Sequence, residues 1–583
     1  MDTIRSVTLH PEYEGYTFEA GILGVNAEIT RTGFFGGLCA EMLNNRKLYM
    51  GTNGVDGWEC TDFTRILDRT EDSLCNSNYV ILNGGSMSQT SKVIALNDNE
   101  DYVAKIWVKA LSESATVAFG IDGSEKSFTV NSDDQPYCAL SFVFKGKKTD
   151  NGTFIIKAHG NVAVFQASLL PVNNFYGMRL DVIEMLRAIQ PASIRFPGGC
   201  AADHFDWKEG LKAPEFRKPA DGTNKSWFLF RDTYHQDPFD IGINEFMMLC
   251  RTLGAEPEYT VSLILSDAED AKNLVEYCNG DTSTKYGAIR ESLGFDKFNV
   301  KLWYIGNEVF YFGEKYREDT SLAAKRTEEL IHAVKEADPS LKVVIGAHWR
   351  PKAQDWSIGF LKNFNCPYDY VSFHDYTGDL TDETKGEKGK QTAEMLESNF
   401  IDGTSFGLEF YKNTLFGGSL EDIRICVDEW NYSWGQPNTT ALFFSNAIQL
   451  HFLAKSKNKY HIDRAEFFMP VNEGMITVNG TEIKMEATGE MFKLFASHKG
   501  GRVINSTADP SLDVLSTDHG DHFFVSVVNR SGEDVKINVE GHRITAITEI
   551  KVNDYSFKSN DFEVITQNEP ILHGHSMMFL TVI

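Results

Sequence analysis

Hydrophobic residues follow two different patterns of spacing along this chain. From about residue 80 to 170, and again after about 475, apolar and polar positions alternate in short runs separated by Gly, Asn, Asp and Ser. Such alternation predicts half-buried β-strands, and many short strands at regular spacing are typical of a β-sandwich. The runs are VAKIWVKA, SATVAFGI, YCALSFVF, GTFIIKA and AVFQASLL in the first region and DVLSTD, HFFVSVVNR, VKINVE, RITAITEIKV and SMMFLTVI in the second.

Between these two regions, near-continuous apolar runs alternate with segments of helical period. Strands that are apolar throughout predict a parallel sheet buried on both faces, and eight strand–helix units in about 290 residues match a (β/α)8 TIM barrel. The predicted helices include LDVIEMLRAI, INEFMMLCRTL, SLAAKRTEELIHAVKEA and TTALFFSNAIQLHFLAKS. The predicted strands are 192–199, 257–264, 274–279, 301–308, 342–348, 368–376, 424–431 and 464–471.

These patterns together predict a multidomain β and α/β protein. The third strand, LVEYCN at 274–279, could also be the end of a helix. The first 45 residues are strand-rich and join either the C-terminal β region or the barrel. The predicted domains are N-terminal strands joining the barrel and the C-terminal β domain (1–51), an inserted β-sandwich (52–172), the TIM barrel (173–474) and a C-terminal β-sandwich (475–583).

Composition limits the kinds of molecule that this protein is expected to bind. The 583 residues carry a formal net charge of −26, which would repel phosphate backbones and argues against nucleic acid. No segment reaches about 18 uninterrupted apolar residues, so we expect no membrane association. The opening residues also lack the apolar run of a signal peptide, so we expect a cytoplasmic protein. Nine cysteines without CxxC pairs favour reduced, buried thiols.

Two apolar runs each end on a glutamate. KLWYIGNE finishes on Glu308, and RICVDEWN carries Glu429. These runs are the fourth and seventh predicted strands, and side chains at the carboxyl ends of barrel strands face the active-site mouth. A pair of carboxylates there suits glycosidic bond cleavage, with one as acid and the other supporting the oxocarbenium-like centre. Either glutamate alone could instead be an ordinary surface residue or half of a structural ion pair.

The residues around the two glutamates also suit a sugar site. Asn307 could hydrogen-bond a sugar hydroxyl, and Arg195, at the end of the first predicted strand, could hold a carboxylate ionised. His374 and Tyr376 end the sixth strand, where the tyrosine hydroxyl could orient the nucleophile. Flat apolar faces for a sugar ring could come from Tyr376, Trp430 and Trp434.

Several stretches, in order, resemble glycoside hydrolase family 51, the α-L-arabinofuranosidase family. They are GVNAEITRTGFFGGLCAEMLNNR, LPVNNFYGMRLD running into RFPGGCAADHFDWKEG, HQDPFDIGINEFMMLCRTLGAEPEYTV, LVEYCNGDTSTKYGAIRESLG, IGNE and DEWN. The resemblance implies a general acid/base at Glu308, a nucleophile at Glu429 and a sugar-binding glutamate at Glu28. It also implies sugar-binding or orienting roles for Asn307 and Tyr376.

The same resemblance implies a barrel with a C-terminal β-sandwich, and a retaining mechanism without a metal or an organic cofactor. Residues 52–172 look like the carbohydrate-binding-like module that some members insert. That module either binds polysaccharide or covers the barrel mouth. Members are often oligomeric, so the resemblance leaves a homo-oligomer open, although the sequence identifies no interface.

Two positions depart from the family pattern. Cys200 follows the RFPGG turn where many members have Asn, and Met469 stands in place of a sugar-contacting Gln. Sulfur contacts are softer and less directional than amide hydrogen bonds, so the sugar preference stays open. The first hypothesis is an exo-acting α-L-arabinofuranosidase acting on arabinose-containing oligosaccharides. The alternatives are an endo-β-glucanase or another glycosidase on the same barrel, and a non-catalytic carbohydrate-binding protein.

Overall fold

The computed structural model describes most of the 583 residues. The described ranges are 3–13, 15–29, 33–49, 54–67, 74–133, 136–219, 238–376, 404–420, 423–432 and 438–583.

Strands occupy the start, the first third and the end of the chain, and recur singly between helices in the middle. In chain order they are β1 (Thr3–His10), β2 (Gly24–Asn26), β3 (Glu59–Ile66), β4 (Tyr79–Ser91), β5 (Asp101–Ala110), β6 (Ser114–Ile121), β7 (Lys126–Asn131), β8 (Cys138–Lys145), β9 (Gly152–His159), β10 (Asn161–Pro171), β11 (Ser193–Phe196), β12 (Glu256–Val261), β13 (Leu302–Ile305), β14 (Lys342–Ile345), β15 (Tyr370–Tyr376), β16 (Arg424–Asn431), β17 (Ile462–Phe468), β18 (Ile476–Asn479), β19 (Glu482–Met485), β20 (Arg502–Ala508), β21 (Leu512–Asp518), β22 (Phe523–Asn529), β23 (Val535–Val539), β24 (Ile544–Val552), β25 (Phe562–Thr566), β26 (Ile571–Leu572) and β27 (Met577–Val582).

Helices fall mainly between the barrel strands. They are α1 (Leu180–Ile189), α2 (Ile243–Leu253), α3 (Ala268–Asn279), α4 (Lys285–Ser292), α5 (Val309–Phe312), α6 (Lys315–Glu318), α7 (Thr320–Ala337), α8 (Pro351–Asn363), α9 (404–410), α10 (Thr440–Lys455), α11 (Lys457–Tyr460) and α12 (Ala487–Phe495). Short helical turns lie at Ala20–Leu23, Phe34–Leu38, Leu74–Asn76, Cys200–His204, Trp207–Leu211, Pro214–Phe216, Tyr411–Leu415 and Ala496–His498. Among the described residues, none of these helices is both long enough and apolar enough to cross a membrane.

The middle of the chain forms a closed barrel of eight parallel strands, in the order β11, β12, β13, β14, β15, β16, β17 and β2. The predicted TIM barrel is therefore confirmed. Four of its described helices, α3, α4, α7 and α10, begin at a side chain that accepts an orphan N–H group; Asp267, for example, accepts from the Asp270 N–H at the start of α3. This packing leaves the carboxyl ends of the strands, and the loops that follow them, to form the mouth.

Two barrel strands differ from the prediction. LVEYCN is the last part of α3, because buried Leu274, Val275 and Cys278 line one face of a helix that starts at Ala268. The missing barrel strand is β2, which is only three residues long and comes first in the chain. Counted from β2, Arg195 lies on the second barrel strand rather than on the first. The two errors compensate beyond that point, so Glu308 still follows strand four and Glu429 still lies on strand seven.

An eight-stranded antiparallel sheet follows the first barrel strand along the chain. Its order is β7, β6, β9, β4, β10, β5 and β8, with β3 paired to β4. Inward apolar residues from these strands form a separate core, which includes Val108, Val117 and Ile156. This sheet occupies the region of the predicted inserted module, and its description as a β-sandwich stays a prediction. The module touches the long loop after β11, because Gln166 donates to the Glu215 carbonyl at 2.9 Å and Lys105 lies 3.5 Å from the Glu215 carboxylate.

The C-terminal strands form a nine-stranded sheet that includes the N-terminal strand β1. Its order is β25, β24, β27, β22, β21, β20, β1, β23 and β26. The first residues of the chain therefore join both regions that the sequence offered for them: β1 lies in this sheet and β2 lies in the barrel. The exact domain boundaries at residues 52, 173 and 475 stay predictions.

Candidate active site

Glu308 and Glu429 meet at the mouth of the barrel. Glu308 follows β13 after a turn at Gly306, whose φ is +74°, and Glu308 itself adopts the left-handed region with φ 42°. Non-glycine residues in this region are uncommon and cluster at functional sites. One carboxylate oxygen of each glutamate and one ring nitrogen of His374 all lie within 4.8 Å of one another. The predicted pair of glutamates is therefore assembled across one small gap.

A β-bulge in β16 turns two consecutive carboxylates inward. On the neighbouring β15, Ser372 pairs with Cys426 and His374 pairs with Glu429, so one extra residue is accommodated on β16 between these pairs. Regular alternation would send neighbouring side chains to opposite faces, and the bulge suspends that rule locally. Asp428 consequently accepts hydrogen bonds from Ser372 Oγ at 2.7 Å and from the Phe373 N–H at 3.2 Å, beside Glu429.

His374 lies between the carboxylates. Its Nδ1 is 2.9 Å from Glu308 Oε1 and 3.4 Å from Glu429 Oε2, and its Nε2 is 3.3 Å from Asp428 Oδ2. Burial by itself lowers the pKa of His374, but the negative charges of Glu429 and Asp428 outweigh it and raise that pKa well above its ordinary value. The ring is therefore an imidazolium that donates from both nitrogens.

Arg195 and Tyr376 hold the two oxygens of Glu429 separately. Arg195 Nη1 donates to Oε1 at 3.1 Å, and the Tyr376 hydroxyl donates to Oε2 at 2.9 Å. The guanidinium is only 1 % exposed, and it also lies 4.6 Å from the ring centre of Tyr304 and 3.4 Å from Asp428 Oδ2. Two predicted orienting residues thus contact the predicted nucleophile directly.

The balance of forces on Glu429 leaves its pKa raised. Burial contributes most, the positive charges of His374 and Arg195 oppose it, and the nearby Glu308 adds to the increase. Asp428 shows the opposite result, because His374 and Arg195 outweigh its burial and lower its pKa. Asp428 is therefore harder to protonate than an ordinary aspartate, whereas Glu429 is easier to protonate than an ordinary glutamate.

The RFPGG turn brings Glu28 and Glu429 close to the same piece of backbone. Gly198 has φ +104°, and a Cβ atom there would lie 2.2 Å from the Cα of Glu28. A Cβ atom at Gly199 would lie 2.7 Å from Glu429 Oε1. Beyond the turn, the Ala201 N–H donates to Glu28 Oε1 at 3.1 Å. Both glycines are needed for this close approach.

Asn307 and Cys200 form the side of the site next to Glu308. Asn307 accepts from Arg195 Nη2 at 2.6 Å, and its backbone N–H donates to Asp203 Oδ2 at 3.1 Å. Cys200 Sγ lies 3.6 Å from Asn307 Nδ2 and 3.7 Å from Glu308 Oε2. Burial and the nearby carboxylates raise the pKa of Cys200 well above its ordinary value, so it remains a thiol.

Two predicted sugar contacts are buried side chains packed against protein. Met469 is buried, with its Cε methyl against Gly33. Trp430 is fully buried and packs on Phe467 at 5.0 Å and on Phe492 of α12 at 6.0 Å. The prediction that Trp430 offers a face to the sugar is wrong, because alternation resumes after the bulge and directs this side chain to the outside of the barrel. Trp434 lies outside the described residues.

Glu308, His374 and Glu429 have the spacing of three metal ligands. Without a bound ion, the negative charges around His374 raise the pKa of its ring, so that the three groups form an imidazolium between carboxylates.

Sequence reasoning missed two buried aspartates of this site. Asp428 joins His374 and Arg195, and Asp203 accepts from the N–H groups of Leu263 at 2.6 Å and Asn307 at 3.1 Å. Burial raises the pKa of Asp203 to about 6. The only signal for Asp428 was its place next to Glu429, and alternation on a strand would have argued against both facing inward.

Comparisons with known proteins point to one group of glycosidases. The family model "Alpha-L-arabinofuranosidase 1 domain" matches residues 185–385. An "Intracellular exo-alpha-(1->5)-L-arabinofuranosidase" of Acetivibrio thermocellus is 29% identical over 305 residues, which cover 51% of this chain and 57% of the relative. A protein of the same description from Halalkalibacterium halodurans is 29% identical over 268 residues, 45% of this chain and 50% of the relative. The chain thus spans about half the length of these curated relatives.

A solved structure is similar over the whole chain. The arabinose-bound α-L-arabinofuranosidase MgGH51 superposes with a TM-score of 0.75 at 15% sequence identity, covering 99% of both chains. At this identity the likeness supports the fold, including the barrel and the flanking β regions.

Proposed function

We propose that the chain is a member of glycoside hydrolase family 51, the α-L-arabinofuranosidase family, and that it is a retaining, exo-acting α-L-arabinofuranosidase that releases terminal arabinofuranose from oligosaccharides. The observation that carries the proposal is the approach of the Glu308 and Glu429 carboxylates to within 4.8 Å at their nearest oxygens. Retaining glycosidases separate their two carboxyl groups by about 5–5.5 Å, whereas inverting enzymes need about 6.5–9.5 Å to admit a water molecule.

In the first step, Glu308 donates its proton to the leaving oxygen while Glu429 attacks the anomeric carbon. The C–O bond to the leaving group breaks, and an ester bond forms between the sugar and Glu429. Arg195 and Tyr376 keep both Glu429 oxygens oriented, at 3.1 and 2.9 Å. In the second step, Glu308 removes a proton from water, which attacks the anomeric carbon and releases Glu429.

The charges nearest the nucleophile fit this division of roles. Two cations, Arg195 and His374, face the carboxylates of Glu429 and Asp428. With Glu308 carrying the transferable proton, these four charges balance one another, which reduces the cost of burying them.

Sugar-binding roles for Glu28 and Asn307 are part of the proposal. Their side chains lie beside the two glutamates, and Glu28 is fixed by the Ala201 N–H. The Cys200 thiol lines the site next to Glu308, and the Met469 methyl group packs against Gly33. We also propose an intracellular location, supported by the names of the bacterial relatives. Carbohydrate binding by the inserted module and assembly into a homo-oligomer stay predictions.

The test is a panel of p-nitrophenyl glycosides and soluble polysaccharides, with the product anomer followed by NMR. The proposal expects the α-L-arabinofuranoside to be the best substrate and the first product to retain its anomeric configuration. Preferential cleavage inside a β-glucan would favour the endo-glucanase alternative. Binding without turnover of any glycoside would favour a carbohydrate-binding protein.

A further inference from the structure

The loop after β14 donates hydrogen bonds to the end of β15. Trp349 Nε1 donates to the backbone carbonyl of His374 at 3.2 Å, and Arg350 Nη2 donates to the backbone carbonyl of Tyr376. His374 and Tyr376 are the two β15 residues whose side chains contact Glu429. The loop thus holds the backbone of both residues through their carbonyl groups.

Trp349 is itself firmly held. Its indole lies parallel to the ring of Phe373, with centroids 6.0 Å apart and an interplanar angle of 11°, and the Arg350 guanidinium lies 5.5 Å above it. Gly407 on α9 closes the other side, since a Cβ atom there would lie 2.6 Å from the indole. Gln354 fixes the Trp349 carbonyl at 2.7 Å. The donor that reaches His374 therefore has little freedom.

The residue between these two carbonyls is anchored separately. Asp375 is buried and points away from the site, where it accepts hydrogen bonds from Thr404 and from Gln449 at 3.4 Å. The last three residues of β15 are consequently held at successive positions by the loop after β14, by α9 and by α10. A strand end held in this way keeps the Tyr376 hydroxyl in position on Glu429.

His348 extends the same loop toward Glu308. Its ring stacks on Phe310 at 4.8 Å and 4°, and Phe310 lies on α5, the short helix that starts directly after Glu308. The ring of His348 also lies 6.4 Å from that of His374. Residues 348–350 therefore touch the supports of both glutamates.

We propose that Trp349 and Arg350 are positioning residues of the active site, which fix the His374 and Tyr376 carbonyls and thereby set the geometry of the nucleophile Glu429. They contact neither glutamate. The inference rests on the proposed glycosidase function, because it assigns these residues a role in that reaction.

The test compares Trp349→Phe with Trp356→Phe. Trp356 is a matched control: it is buried on α8, stacks on Phe360 at 4.9 Å, and donates Nε1 to a backbone carbonyl, that of Tyr316, at 3.1 Å. It packs on Phe310 at 5.8 Å, as His348 does, but its Nε1 bonds α6 rather than β15, so it tests the carbonyl contacts specifically. With p-nitrophenyl α-L-arabinofuranoside, we expect Trp349→Phe to lower kcat about 10- to 100-fold with KM within about twofold. We also expect the acid limb of the kcat/KM profile of Trp349→Phe to move to higher pH. Trp356→Phe should keep the wild-type kcat and pH profile.

A second pair of variants covers the case in which Trp349→Phe does not fold. Arg350→Met should lower kcat in the same way, and Arg350→Lys, which keeps a donor, should recover part of the loss. Equal kcat values and pH profiles for Trp349→Phe and Trp356→Phe, or for Arg350→Met and wild type, would overturn the proposal.

A readout without turnover separates this inference from the proposed function. In ¹³C-histidine-labelled protein, with the His374 signal assigned by a His374→Gln variant, Trp349→Phe should shift the His374 resonance while Trp356→Phe leaves it unchanged. A wild-type protein that hydrolyses no glycoside would refute the function, and the His374 signal would still decide the positioning. An unchanged signal in Trp349→Phe would refute the positioning even in an active enzyme.

Discussion

The Tyr376 hydroxyl donates to Glu429 Oε2 at 2.9 Å, which ties the end of β15 to the proposed nucleophile on β16. The other oxygen of Glu429 is taken by Arg195 at 3.1 Å. A carboxylate held at both oxygens has one orientation, and hydrogen bonds to its charged form favour that form. This contact therefore links geometry and ionisation, and substitutions can separate the two.

Tyr376→Phe should move the acid limb of kcat/KM to higher pH. Burial has already raised the pKa of Glu429, and loss of the hydroxyl removes a hydrogen bond that stabilises the carboxylate. We expect kcat to fall by about 10- to 100-fold, in the range typical of a lost charge-stabilising donor. The measurement is the pH dependence of kcat/KM with a nitrophenyl arabinofuranoside.

Tyr411→Phe provides the control for that variant. Tyr411 is also buried and donates its hydroxyl at 2.8 Å, but to the backbone carbonyl of Ser372 rather than to a carboxylate. It should lose stability without a shift of the acid limb. A limb that moves equally in both variants would contradict the assignment of Tyr376.

Glu308→Ala should slow hydrolysis most for substrates with poor leaving groups. Such leaving groups need a proton, whereas a dinitrophenolate departs without one. Azide should rescue turnover of the activated substrate and give an arabinosyl azide, because the small anion can enter the space left by the missing carboxyl group. Glu429→Ala should show neither activity nor rescue to a retained azide. Equal losses for good and poor leaving groups would contradict the acid role of Glu308.

Asp428→Asn should impair both activity and stability. The substitution removes a buried negative charge that faces His374 at 3.3 Å and Arg195 at 3.4 Å. Breaking a buried ion pair typically costs about 3–5 kcal/mol, so a lower Tm is expected. Loss of this charge should also lower the pKa of His374, which Asp428 helps to raise. The measurements are the Tm and the kcat of the purified variant.

Asp296→Asn is the control for that substitution. Asp296 is exposed, and it lies 3.7 Å from Arg251 at the surface. Surface ion pairs contribute little, so its Tm and kcat should remain at wild-type values. If Asp428→Asn also retained wild-type values, the proposed role of its charge would be wrong.

The sequence allowed much of the fold to be predicted, and the reasons for the remainder are local. Long periodic segments such as α1 and α2 were found with their bounds, because their apolar spacing is regular throughout. β2 was not counted among the eight predicted barrel strands, although the first 51 residues were expected to contribute strands to the barrel. Three residues carry no period, and the partners of β2, β11 and β17, are distant in the chain. The segment 274–279 was misread because a short apolar run fits either element when it is considered alone.

The candidate site was predictable where a residue type and a strand end coincided. Glu308, Glu429, His374, Tyr376 and Arg195 meet as expected. The prediction for Trp430 was wrong because residues adjacent in the sequence of a strand need not lie on the same face. Asp428 was missed because only the bulge in β16 turns it inward. Such a bulge is a property of pairing with β15 and β17, which a single sequence does not display.

Stability should decrease as the solution is acidified, through two buried histidines between α10 and the C-terminal sheet. His451 Nε2 and His498 Nε2 lie 2.8 and 2.9 Å from the same Ser526 hydroxyl. Burial lowers the pKa of both, and for His498 the neighbouring His451 and His519 lower it further. In the unfolded chain each histidine binds a proton near pH 6.5. Unfolding therefore takes up protons below that pH, and the stabilisation present at neutral pH is lost as pH falls.

His498→Gln should flatten this dependence. The variant lacks one of the two titrating groups, so its Tm should fall less steeply than that of the wild type between about pH 7 and 5. The exposed His332→Gln is the control and should keep the wild-type slope. Parallel curves for His498→Gln and wild type would show that His498 does not contribute to acid sensitivity.

The most direct test of the two-glutamate mechanism is to trap the sugar on the enzyme. Glu308→Gln lacks the base that assists hydrolysis of the intermediate, so it should accumulate a covalent adduct with dinitrophenyl α-L-arabinofuranoside. Mass spectrometry of the digested protein should then find one pentosyl group, attached to Glu429. A pentosyl group on a different residue, or complete release of a sugar with inverted configuration and no adduct, would contradict the account.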